Sequence, residues 1–240
     1  MSAFLNHIAF GWYPYIALTV FLLGSLIRFD REQYTWKAGS SQLLRRRQLM
    51  WGSNLFHVGI LIIFLGHFIG LLTPIWMFDM IGMSHGFKQG LAIGVGGVAG
   101  LMLLVGVSLL THRRLTDPRI RKNSSFGDIA VLLLIFAQLL LGLATIPLSL
   151  NHMDGGEMVR FMSWAQGIMT LQPGVSELVA GASPVFKAHL LLGMTIFLVF
   201  PFTRLVHVWS APIWYLGRRN YQIVRSSRTG ARAATTQPAE

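Results

Sequence analysis

The chain has 240 residues, of which 53% are hydrophobic and only 12% charged, with a formal net charge of +11. So few charges exclude an ordinary water-soluble domain, where about 25% is usual, and their collection between apolar runs excludes a nucleic-acid-binding face. The absence of cysteine excludes disulfides, cysteine-held iron–sulfur clusters and covalently attached c-type haem.

A helix crossing the ~30 Å hydrocarbon layer needs about 20 mostly apolar residues. Five stretches meet that length: 4–28, 49–73, 90–111, 126–148 and 185–210. The first begins "MSAFLNHIAFGWYPY", without the basic start and small-residue cleavage site of a secretory signal, and reads as a retained helix. In the third, Gly96 and Gly100 have the spacing that lets a neighbouring helix approach closely. Between the fourth and fifth lies a long segment, 149–184. There Met158, Phe161, Met162, Ala165 and Met169 recur at helical spacing beside Trp164, predicting an amphipathic helix on the membrane surface or capping the bundle.

Orientation follows from the basic residues. Seventeen of the 20 lysines and arginines fall in 28–47, 111–122 and 204–240, and only Lys88, Arg160 and Lys187 fall on the other side. Positive residues stay inside. The sequence thus predicts an all-α, five-span membrane bundle with its N-terminus outside and its C-terminus cytoplasmic. A membrane domain over 1–225 and a disordered cytoplasmic tail over 226–240 are expected.

Four histidines stand inside these spans: His57 and His67 in the second, His189 and His207 in the fifth. An ionisable group in a span is costly and marks a functional site by default. A single one reads equally well as a satisfied packing residue; four in matched order do not. The spans run in opposite directions, so depth pairs His57 with His207 near the cytoplasm and His67 with His189 near the exterior. Each pair would ligate one iron, predicting two b-type haems stacked between the second and fifth helices. Ten residues rise about 15 Å and eighteen about 27 Å, a mismatch left to tilt and a kink at Pro201. Eighteen residues make five full turns, placing His189 and His207 on one face, whereas His57 and His67 stand about 80° apart. The irons should then lie roughly 20 Å apart. Gly59, Gly66 and Gly193 read as gaps for a flat macrocycle or as the glycine common in membrane helices, and Arg204 as a propionate partner or a topology determinant. His7, His85, His112 and His152 are expected to be solvated or interfacial.

Beyond these patterns, "SNLFHVGILIIFLGHFIGLLTP", "ATIPLSLNHMDGGEM", "AHLLLGMTIFLVFPFTRLVHVWSAP" and "YPYIA…RFDREQYTWKAGSSQ" closely resemble the gamma subunit, a dihaem cytochrome b, of membrane-bound respiratory nitrate reductase. The likeness runs from about residue 10 to 225 and includes all four histidines. It implies that His57 and His207 bind the proximal haem b on the cytoplasmic side, and His67 and His189 the distal haem b on the outer side. It also implies a quinol site beside the distal haem, formed by Gly66 and Lys88. Lys88 fits that role on chemistry alone, as a cation near the depth of His67 able to hydrogen-bond a quinone oxygen; an ordinary interfacial lysine is the alternative. The partners implied are an iron–sulfur beta subunit and a molybdenum-containing alpha subunit in the bacterial inner membrane, with a dimer of heterotrimers open. The expected function is quinol oxidation outside, with electrons passed inward for nitrate reduction. Two other readings stand beside it: a related cytochrome b of another quinone-linked complex, and a haem-free anchor or small transporter.

Overall fold

A computed structural model describes residues 2–36, 41 and 43–210. Residues up to His207 form one compact unit; of the second unit, only Val208–Ser210 is described. The expected disordered tail at 226–240 lies outside the described residues.

Five helices are long and apolar enough to cross a membrane: α1 (Ala3–Arg31), α2 (Arg46–Leu72), α3 (His85–Thr116), α4 (Phe126–Leu150) and α5, whose apolar run is Pro184–Phe202. No strand occurs among the described residues, as expected for chains that must satisfy every backbone group within lipid. Their ends are set by local chemistry. Ser84 accepts from Phe87 N at the start of α3, and Ser125 and Asp128 form a reciprocal capping box at the start of α4. Asp117 caps the short helix Pro118–Lys122 and holds Arg45 at 2.9 Å, joining the two basic loops at that end. Limited burial would raise its carboxyl's pKa, but N–H bonds from Ile120 and Arg119 and the Arg45 charge hold it below the usual range.

Helices in lipid gain little from burying apolar surface, so close backbone approach decides which ones pack. The tightest seam is α2 on α3. A Cβ at Gly59 would lie 2.8 Å from the Ala99 carbonyl, and one at Gly106 would collide with the Phe56 backbone nitrogen. On the other face of α3, Gly100 receives Leu143 of α4, where a Cβ would stand 2.7 Å from Leu143 Cδ2. Gly96, expected to share that role, has nothing within 4 Å; the close approach uses Gly100 and Gly106. α5 packs against both α1 and α4.

Two elements refine the expectations. The amphipathic helix is present at Gly156–Met169 and caps the bundle. Its inward face is Met162, Trp164, Ala165 and Ile168, with Met169 turned out at 60% exposure. The Trp164 indole donates to the Phe10 carbonyl at 2.9 Å, in the π-helical turn Ile8–Trp12 that widens α1.

The fifth span is the larger correction. Its α-helix ends at Val199, becomes 3-10 over Phe200–Phe202, turns extended at Thr203 (φ −120°, ψ 179°) and resumes as 3-10 over Arg204–Ser210. The expected five continuous turns from His189 to His207 do not exist, so neither the common face nor the 27 Å rise applies. Pro201 is the cause: it lacks an N–H and clashes with the preceding turn. Arg28 stabilises the break, donating from Nη1 to the carbonyls of Pro201 (2.6 Å) and Thr203 (3.0 Å). Gly24 makes room, since a Cβ there would sit 2.8 Å from Pro201 Cγ.

Candidate functional site

α2 and α5 face each other through histidine rings. The centroids of His57 and His207 are 6.4 Å apart, and those of His67 and His189 are 6.1 Å apart. These are the pairs that depth order predicts. His207 meets His57 from beyond the break after Val199, so the spacing of eighteen is not that of one continuous α-helix.

Three of the four rings are oriented alike. His57 Nδ1 lies 2.7 Å from the Ser53 carbonyl, His67 Nδ1 2.9 Å from that of Ile63, and His207 Nδ1 2.6 Å from that of Arg204. A carbonyl only accepts, so each Nδ1 carries the proton and each Nε2 keeps its lone pair. This is how metal-binding histidines are normally held. His189 differs. It rests against α4, where a Cβ on Gly142 would lie 3.1 Å from its Cε1, and the Gln138 amide nitrogen lies 3.4 Å from its Nε2.

The rings fit a planar iron cofactor. Two imidazoles bonded to opposite sides of one metal ion, at about 2.0–2.1 Å per bond, hold their centres about 6 Å apart. Among the described residues no three His, Asp or Glu side chains converge, as a closed protein-only metal site would require. A macrocycle supplies the remaining ligands itself. Gly66, beside His67, has nothing within 4 Å of where a Cβ would stand, leaving room along that face.

Lys88 is buried beneath the helix Gly156–Met169. Its ammonium donates to the Gly70 carbonyl at 3.1 Å and to Met162 Sδ at 2.9 Å, and sits 3.5 Å above the Phe78 ring. Gly70 is one turn beyond Gly66, so Lys88, Gly66 and His67 share one end of α2. Phe78 and Met162 were not legible as its partners, because both reach it from other elements. At the basic end Arg204 stands 3.6 Å and Arg114 3.7 Å from the Asp128 carboxylate, so Arg204 has a protein partner. His7 contacts Ser176 and Trp12, and His112 contacts Gln48. His85 lies 3.7 Å from Asp79. Two glutamines were missed altogether, Gln89 buried and Gln166 half-buried. Gln89 ties α3 to the Ser149 and His152 carbonyls, and Gln166 ties the helix Gly156–Met169 to those of Leu71 and Thr73. The signal available was an amide within an otherwise apolar helix.

A multi-pass helical bundle with two pairs of facing imidazoles defines a class: an all-helical membrane protein with paired histidines between its spans. Residues 6–227 match the family model for the nitrate reductase gamma subunit. The chain is 51% identical to the respiratory nitrate reductase 2 gamma chain of Escherichia coli K12, over 95% of this chain and 100% of that one. It is 50% identical to the respiratory nitrate reductase 1 gamma chain of the same organism (93% and 98%), and 39% identical to the nitrate reductase gamma chain of Bacillus subtilis 168 (92% and 98%). The protein belongs to the nitrate reductase gamma subunit family, and is a multi-pass membrane subunit of a respiratory nitrate reductase complex.

Proposed function

We propose that this subunit oxidises quinol near the outer membrane face and delivers the electrons to an iron–sulfur partner on the cytoplasmic side. The observation that carries the reading is the pairing of His57 with His207 and of His67 with His189 at ring separations of 6.4 and 6.1 Å. Haem b held at each pair would supply a one-electron carrier, and two in series would link a two-electron quinol to clusters beyond the membrane. His57 and His207 hold the inner group, and His67 and His189 the outer one. Gly66 leaves space beside His67 for the quinol ring. The Lys88 ammonium has three N–H donors, of which Gly70 and Met162 take two. The third, over the Phe78 ring, turns to a quinol oxygen when quinol binds and stabilises negative charge as its proton leaves toward the exterior.

The basic loops keep the His57–His207 end in the cytoplasm and form the surface for an iron–sulfur beta subunit and a molybdenum alpha subunit. Moving each negative charge inward stores about 2.3 kcal/mol per 100 mV of membrane potential.

Redox-titrated optical spectra of the wild-type complex and the four His→Ala variants test this reading. Two b-type components are expected. One is lost in both His57→Ala and His207→Ala, the other in both His67→Ala and His189→Ala. Loss of the same component from His57→Ala and His67→Ala would overturn the pairing, and a wild type without b-type absorbance would overturn the whole reading.

A further inference from the structure

Lys88 has charged company at its end of the bundle. It lies one turn into α3, which opens with His85, and residues three apart on a helix are neighbours. Its ammonium sits 3.5 Å from the centre of the Phe78 ring, and the next residue, Asp79, is the carboxylate whose charge acts on it. Asp79 also stands 3.7 Å from His85 Nε2. The short helix Ile75–Met80 and the start of α3 thus bring a cation, a carboxylate and an imidazole into one group.

Exposure rises across that group. Lys88 is 6% exposed, whereas the side chains of His85 and Asp79 are 39% and 56% exposed. The ammonium is shut away from water, and the pair beside it is not. The imidazole is also held in place by a third segment. A Cβ at Gly155 would lie 2.8 Å from His85 Cβ, and one at Gly86 would lie 2.9 Å from the Met153 carbonyl. Gly155 has φ +79°, a backbone that glycine adopts without steric cost, and this seats 153–155 against the first turn of α3. An exposed ion pair adds little to stability, so stability does not account for a pair positioned from three segments.

We propose that Asp79 and His85 are the exit for the protons of quinol. This rests on the reading that quinol is oxidised beside Lys88. Lys88 is itself a cation without a lone pair and cannot take those protons; Asp79 and His85 are the bases grouped with it. In each passage a quinol O–H bond breaks, and its electron pair stays on the quinol oxygen beside Lys88. The proton bonds to an Asp79 oxygen, directly or along a water. The carboxyl passes it to His85 Nε2, and the imidazole, able to gain a proton at one nitrogen and lose one from the other, sheds a proton to solvent. A second passage removes the second proton, and the two electrons leave one at a time to the haem held at His67 and His189. Carboxylate and imidazole end as they began.

The test is stopped-flow reduction of the intact complex by reduced duroquinone, in Asp79→Asn and His85→Ala, with and without imidazole in solution. Asp79→Asn is expected to slow haem reduction about a hundredfold, the usual weight of one positioned acid–base group, and Asp79→Glu to restore most of the rate. His85→Ala is slowed as well, and dissolved imidazole restores it, because a free base replaces a proton carrier but not a structural contact. Haem spectra stay those of the wild type, and dithionite reduces every variant equally. An unchanged rate in Asp79→Asn or His85→Ala, or a slowed His85→Ala that imidazole does not rescue, would overturn the proposal. Should His85→Ala fail to assemble, His85→Gln is judged by the same imidazole criterion. A wild type whose haems quinol does not reduce would instead refute the quinol reading.

Discussion

At the residue scale, Lys88 makes the most specific prediction. Its ammonium is fixed by Gly70, Met162 and Phe78, so truncation removes a positioned cation without touching either histidine pair. Lys88→Ala is expected to slow quinol-driven haem reduction by about a hundredfold, the usual cost of losing one aimed donor. Both spectral components should remain. Stopped-flow reduction of the complex checks this, and unchanged kinetics would remove Lys88 from the site. The histidines were legible because four imidazoles in apolar spans have few other readings. Gln138 was not, because a lone amide acquires meaning only when another helix brings His189 beside it.

At the scale of elements, the spans follow from apolar length, and Pro201 announces a disturbance in the fifth. What the chain does there could not be read from spacing, because eighteen residues happen to equal five helical turns. The break also depends on Arg28, which lies 173 positions before Pro201 and meets it only in three dimensions. Replacing Arg28 by Lys leaves one compact ammonium where a guanidinium spans the Pro201, Thr203 and Thr35 carbonyls. Arg28→Lys is expected to broaden or diminish the His57–His207 component while sparing the other, measured by low-temperature difference spectra. The α2–α3 seam yields a second prediction. In Gly106→Ala the new methyl meets the Phe56 backbone, next to His57. Overpacking of this kind costs about 1–3 kcal/mol. Thermal unfolding in detergent should show the loss, and a melt equal to wild type would mean that α2 and α3 can separate freely.

For the whole molecule, seventeen of 20 basic residues fall in 28–47, 111–122 and 204–240, while the opposite end carries the cap of Gly156–Met169. The expected orientation rests on composition alone, whereas the cap's inward face is a matter of packing. Met169 has the same apolar character as Met162, yet only Met162 lies against the bundle. The chain's lack of cysteine makes orientation easy to measure. Met80→Cys, at an exposed position near the cap, is expected to react with a membrane-impermeant maleimide in intact cells. Lys122→Cys, at the basic end, should react only after the membrane is opened. The reverse pattern would invert the topology.

The interruption at Thr203 separates the phases of the two halves of the fifth span. Along one rigid α-helix, any change that turned His207 would turn His189 with it, since each residue adds about 100°. A 3-10 segment adds about 120° per residue, and the extended Thr203 removes the fixed phase between the two halves. The azimuth of the inner imidazole can therefore be adjusted without disturbing the outer one. On the proposed function, each half of the fifth span can then be tuned for its own haem separately.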